Sequence, residues 1–464
     1  MFRRSILRWA TAALTWASIV GSAGAQAISS PHVLALAAGY KAAFLCSDIF
    51  TAGEGEEQAT ADDLEGAYKL YQNDIRTLPA IIDRDAKTVS VAFDARLPPR
   101  IAAWRPGLGC AQLPIGAGRL AIGALPVLKI AASRPDLDAK AWPGGDANAV
   151  DASSALEPIV ARAFDGASFG AGARTTAVVV VRGGRIIAER YRDGFDLHRP
   201  QRTWSAAKSI TASVIGRAVQ LRLVEPEAPV GVPEWRNPGD PRSAITLAQL
   251  LHMNSGLFTN GPGSRTDEIY VGGGAVNQVV TSMPLEAQPG SRFRYANDDV
   301  LLAARALRAR LGDGDEALDF PYRELLWRIG MTHTTLETDW RGNYVLSSQV
   351  WTTARDLARL GLLYLNDGVW NGERLLPEGW ARYVARPSGA QPPDGPGYGA
   401  LFWLFGPAQG LPEGTYAMLG NRGQYVFIIP RRDVIIVRRG YDPAEGGPQF
   451  DAAGFARAVL AAAP

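Results

Sequence analysis

Two β-hairpin patterns bracket a long, mostly helical stretch of this chain, and their placement restricts its fold more than any other feature. Residues 177–182 and 185–191 are β-branched and alternating runs that meet at Gly183-Gly184, the turn chemistry of a tight antiparallel pair. Residues 425–430 and 433–439 repeat the pattern near the C-terminus, and residues 450–460 follow with the spacing of a packing helix. Strands at both ends of one unit satisfy their edges by joining a single antiparallel sheet, with the intervening helices laid against it. The expected class is α+β: an antiparallel sheet flanked by helices, with an inserted helical region.

Within the helical stretch, Thr203-Trp204-Ser205-Ala206-Ala207-Lys208 heads an apolar-periodic run in which Ile210, Val214, Ala218 and Leu221 recur at helical spacing. That spacing predicts a helix with one buried face, and it puts Ser205 and Lys208 nearly one turn apart on the same side. A serine hydroxyl becomes a nucleophile when a base removes its proton, and a lysine serves as that base once desolvation lowers its pKa. The chain has 48 Lys+Arg but only six lysines, Lys41, Lys69, Lys87, Lys129, Lys140 and Lys208. Past residue 140, Lys208 stands alone among arginines. Arginine cannot release its proton, so a lysine kept here fits a demand for a neutral amine.

Further on, residues 245–257 read as a helix stopping at a glycine. Pro289-Gly290 then opens a loop carrying Tyr295 and Asn297, followed by an apolar helix from Val300. With Ser-x-x-Lys before them, these stretches resemble the penicillin-recognising serine hydrolases, a superfamily for which that motif is established. Within it, the resemblance is to the branch of class C β-lactamases, related esterases and 6-aminohexanoate-dimer hydrolases. It runs from about residue 170 to the end and takes in residues 351–361 and Gly397-Tyr398-Gly399.

The resemblance implies that Ser205 is acylated, Lys208 is its base, Tyr295 carries a second proton and Asn297 holds substrate. Gly420-Asn421-Arg422-Gly423-Gln424 stands where the family has Lys-Thr-Gly or His-x-Gly. Gly423 is expected to let substrate approach the backbone, and the Gln424 amide to join that of Ser205 as an oxyanion hole. Asn421 replaces a cation by a neutral amide. The implied activity is hydrolysis of a small-molecule amide or ester through an acyl-enzyme, without cofactor or metal. It is 6-aminohexanoate-dimer hydrolase-like or carboxylesterase-like. A true β-lactamase or D,D-peptidase, and a catalytically idle penicillin-binding or sensor protein, are the alternatives.

At 464 residues the chain exceeds one compact core, and three segments are expected. Residues 1–25 have the arginines, apolar core and small-residue end of a signal peptide. Residues 26–145 form an N-terminal accessory domain, with helical patterns at 33–49 and 61–70, a strand at 88–93 and an extended segment at 100–113. A linker at 135–151 leads into the hydrolase domain, residues 146–464. Removing the leader takes three arginines and moves the formal charge from +2 to −1, which leaves no bulk attraction to nucleic acid or anionic lipid. No further segment is expected to be long and apolar enough to span a membrane. Export to a periplasm or the medium makes a Cys46–Cys110 disulfide the expected state. His32, His198, His252 and His333 show no ligand spacing, so no metal is expected. Gly166-Ala167-Ser168-Phe169-Gly170 matches a nucleophile elbow, but a helix precedes it and a strand follows, the reverse of that motif, so it reads as a glycine-rich loop.

Overall fold

The computed structural model of the chain describes residues 30–259, 267–445 and 449–463. The expected leader, residues 1–25, lies outside them. A seven-stranded antiparallel sheet runs in the order Gly397–Tyr398, Trp403–Phe405, Thr415–Gly420, Gln424–Ile429, Val434–Gly440, Thr175–Arg182, Arg185–Tyr191. The C-terminal hairpin pairs directly with the first one, Ile436 opposite Val180 and Val437 opposite Val179. The two ends of the unit therefore close one sheet, as the hairpin patterns predict. The unbroken Ala177–Val181 apolar run follows from burial on both faces. Val178 and Val180 pack with Phe427 and the C-terminal helix residues Phe455 and Val459, while Val179 and Val181 face the core that holds Ile210 and Leu357.

The helix Ala207–Gln220 is buried along its length from Ala207 to Ala218, on more than the one face its periodicity suggests. It is enclosed by the 415–420 strand on one side and by the helix Asn297–Leu311 on the other. Small residues make this possible: a Cβ on Gly216 would meet the Trp380 indole nitrogen at 2.5 Å.

In the N-terminal region, the helix Pro31–Phe50 packs on a four-stranded meander, Ala80–Asp83, Thr88–Val91, Arg100–Arg105 and Gly109–Gln112. Residues 100–113 are thus a hairpin rather than one extended segment, turning at Gly107 and Gly109 with φ of 73° and 58°. The expected 61–70 helix is broken into Glu56–Ala59, a π turn over Thr60–Leu64, and Lys69–Thr77. The break turns the carbonyls of Asp62, Asp63 and Glu65 onto the Arg422 guanidinium. Cys46 and Cys110 form a disulfide, Cα atoms 6.1 Å apart, tying the helix to the last strand.

One expectation needs correcting. The helix Pro31–Phe50 is long and apolar enough to cross a membrane. Here it is a core helix, and Ala37, Phe44 and Leu45 share one buried cluster with Trp204 and Ile210 of the hydrolase unit.

Candidate active site

Ser205 lies in a turn ahead of its helix, partly open within a run of buried residues. Trp204 before it has φ of 50°, the left-handed region, which costs a bulky residue on the order of 1–3 kcal/mol. Packing holds it there. Its ring meets Tyr68 at 6.2 Å and Phe44 at 5.7 Å, and the Arg202 guanidinium sits 4.4 Å from it. That turn aims Ser205 at Lys208.

Lys208 Nζ donates to Ser205 Oγ at 3.0 Å, to Asn297 Oδ1 at 2.7 Å and to the Ser347 carbonyl at 3.0 Å. The amine is buried, and burial lowers its pKa to about 7, with Asp298 opposing the shift. It can therefore lose a proton near neutrality, and its lone pair then faces the serine hydroxyl. Tyr295 lines the same cavity as Ser205, and its ring lies 4.9 Å from Nζ. Burial pushes the Tyr295 phenol well above its ordinary value, so it keeps its proton and serves as a donor. Asn297, expected to hold substrate, has its carbonyl oxygen committed to Lys208 while it also borders the cavity.

Above Ser205 is a cavity of about 280 Å³, walled by Tyr68, Tyr270, Trp403, Leu419 and Asn421. Asn421 Nδ2 donates to Tyr68 Oη at 3.2 Å, and its Oδ1 accepts from the Arg422 amide at 2.8 Å. Arg422 lies in the turn between the strands Thr415–Gly420 and Gln424–Ile429, with φ of 58°, not on a strand, and it is fully buried against Asp63 Oδ1 at 3.1 Å.

The beta-lactamase family model matches residues 160–439, with the serine, lysine, tyrosine and asparagine all inside the match. The chain belongs to the beta-lactamase family. It is a hydrolase of that family by descent, and the family match begins after the N-terminal helix and meander. A 6-aminohexanoate-dimer hydrolase from Paenarthrobacter ureafaciens is 28% identical over 294 residues, spanning 57% of this chain and 72% of the relative. Among solved structures, a family VIII carboxylesterase has a TM-score of 0.53 at 16% identity, covering 66% of this chain and 96% of its own. A penicillin-binding protein homologue from Caulobacter crescentus has a TM-score of 0.52 at 16% identity, with the same coverages. At such identities these two share the fold.

Two expectations drawn from the beta-lactamase family motif change in this structure. Gly423 and Gln424 do not border the cavity, which is lined instead by Leu419, Gly420 and Asn421. Gly423 is needed for a different approach, since a Cβ there would fall 1.6 Å from Arg438 Nη1. The Gln424 side chain accepts from Arg439 Nε at 2.5 Å and donates to the Gly440 carbonyl at 2.6 Å. The backbone facing the nucleophile is Gly420, where a Cβ would meet the Thr203 carbonyl at 2.1 Å and the Ala206 nitrogen at 3.0 Å. Tyr68, Tyr270 and Trp403 were not singled out in the sequence. Tyr68 comes from the N-terminal region, where no motif marks it; the signal that points to Trp403 is the Gly397-Tyr398-Gly399 signature just before it. Ser168 sits in an exposed turn donating to Asp165 Oδ2 at 2.5 Å, between the helix Glu157–Ala163 and the strand Thr175–Arg182.

Proposed function

We propose that this protein is an exported serine hydrolase that forms an acyl-enzyme on Ser205 and turns over neutral short-chain esters or linear amides. The observation carrying this reading is the 3.0 Å contact between Ser205 Oγ and a buried lysine whose pKa is held near 7. Neutral Lys208 takes the hydroxyl proton as Oγ attacks the carbonyl carbon, and the carbonyl π electrons move to oxygen. The oxyanion lies between the Ser205 amide and the strand end at Gly420. When the oxyanion collapses, the bond to the leaving group breaks and Tyr295 supplies the leaving group's proton, which Lys208 returns to the phenol. Water then repeats the cycle on the acyl-enzyme. The relationship to a 6-aminohexanoate-dimer hydrolase supports the amide reading. The disulfide supports export, together with the arginine-led apolar start of the sequence.

Substrate choice turns on Asn421, which offers an amide where a lysine or histidine would grip a carboxylate. A hydrogen bond to a charged partner contributes about 1.5–3 kcal/mol, so an anionic β-lactam loses roughly ten- to hundredfold in affinity. The test is kcat/KM for nitrophenyl butyrate, an aminocaproyl dimer and nitrocefin on wild type and Asn421→Lys. Ester or linear amide should lead on wild type, and Asn421→Lys should raise nitrocefin turnover. Nitrocefin leading on wild type, with no effect of the substitution, would sink the assignment.

A further inference from the structure

Two of the four histidines, far apart in sequence, meet in the fold. His198 and His333 stack with ring centroids 4.3 Å apart and planes within 15°. Both turn Nε2 toward carboxylates of the 135–151 segment. His333 Nε2 is 2.8 Å from Asp138 Oδ1, and His198 Nε2 is 3.1 Å from Asp146 Oδ2 and 3.6 Å from Asp138 Oδ2. One ligating atom from each of the four residues lies within 4.8 Å of all the others. None of the four borders the Ser205 cavity.

We propose that Asp138, Asp146, His198 and His333 form a zinc site that staples the 135–151 segment to the hydrolase unit. Two imidazole nitrogens and two carboxylate oxygens make a four-coordinate set that zinc accepts, with bonds of about 2.0–2.2 Å and ligand-to-ligand edges of about 3.3–3.6 Å. The nitrogen-to-oxygen separations of 2.8 and 3.1 Å fall just short of that edge, and His198 Nε2 lies 3.6 Å from the other Asp138 oxygen. The widest pair has to close by at most about 1.5 Å, within reach of a rotamer adjustment.

The surroundings are built to hold these side chains. Asp146 Oδ1 accepts from Arg355 Nη1 at 3.2 Å and Arg359 Nη2 at 2.8 Å, which leaves Oδ2 toward His198. The His333 amide donates to Asp356 Oδ2 at 3.1 Å, and the His198 amide to Asp196 Oδ1 at 2.8 Å. These bonds fix the backbone from which each ring projects. His198 and Asp138 are each 40% exposed on their side chains, so an ion has an entry path.

Charge points the same way. Arg355 also pairs with Glu189, and Arg359 with Asp356. Counted as ionised, the four carboxylates and two guanidinium groups of this cluster carry two net negative charges, which one dication cancels. Two imidazolium rings would match that charge only by stacking one cation on another. On binding, each ring carries its proton on Nδ1 and the Nε2 lone pair goes to zinc, with no change of oxidation state.

The test is zinc titration of the metal-stripped full-length protein, followed by calorimetry and thermal unfolding. One equivalent should bind saturably and raise Tm. His198→Gln and His333→Gln should each weaken binding about tenfold or more, while ester hydrolysis without zinc stays at the wild-type level. His32→Gln, a histidine paired with Glu268, should bind zinc as wild type does. Absence of saturable binding to wild type, or affinity unchanged in both His198→Gln and His333→Gln, would overturn the proposal. The exposure of His198 makes its substitution safe for folding.

Discussion

A lysine with its ordinary proton affinity holds its charge at neutral pH, whereas burial beside Ser205 brings Lys208 to about 7, against the pull of Asp298. Only the unprotonated amine accepts the serine proton, so kcat/KM for a nitrophenyl ester should rise with pH through about 7 and level off above it. In Lys208→Arg that limb should vanish and the rate fall at least about 10²-fold, because a guanidinium stays charged. Retention of most wild-type turnover would rule out the lysine as base. Stability responds with a definite sign. The folded affinity lies below the unfolded value of 10.5, so between about 7 and 10.5 the unfolded chain binds the extra proton and the folded state gains stability as pH rises. Below that window the buried charge is a cost. Denaturation near pH 6 and near pH 9 should therefore show Lys208→Met gaining on wild type at the lower pH. Ser205, Lys208, Tyr295 and Asn297 were legible in the sequence because one helical turn and one short loop set their spacing. Gly423 and Gln424 lie outside the cavity lining, and a motif cannot show that Arg438 and Arg439 fill the space behind that hairpin tip.

Among the elements, hairpins and long helices could be read because their patterns are local, including the helix Pro31–Phe50 and the strand Thr88–Val91 of the N-terminal region, while the broken 56–77 stretch could not. Its 60–64 turn is shaped by Arg422, some 360 positions away, through hydrogen bonds from the guanidinium to Asp62, Asp63 and Glu65. The helix Pro31–Phe50 meets the length and apolarity of a membrane span and is nonetheless mostly buried in the core, because apolar length alone does not separate a core helix from a spanning one. The disulfide from that helix closes a loop of 64 residues. Chain entropy assigns it about 4 kcal/mol. Cys46→Ala/Cys110→Ala should lose stability of that order in chemical denaturation and keep kcat near wild type, since neither cysteine borders the cavity. A large fall in kcat with unchanged stability would contradict this.

Across the whole molecule, the buried core does not stop at residue 145. Ser47 Oγ and the Cys110 amide both donate to Glu337 Oε1, at 2.6 and 3.0 Å, and Arg100 donates to the Val271 and Gly272 carbonyls. Tyr68 completes the cavity wall. A chain beginning at residue 146 should therefore expose apolar core and fail to accumulate as soluble, active protein; a soluble truncation with full esterase activity would show that the N-terminal region is dispensable. The proposed mechanism requires covalent chemistry at one atom, Ser205 Oγ. Wild type, Ser205→Ala and Lys208→Arg can be treated with a fluorophosphonate, digested, and mapped by mass spectrometry. A single adduct on the peptide carrying Ser205, absent from Ser205→Ala and greatly slowed in Lys208→Arg, is the predicted result. An adduct on Ser168, or labelling of Ser205→Ala at the wild-type rate, would contradict it.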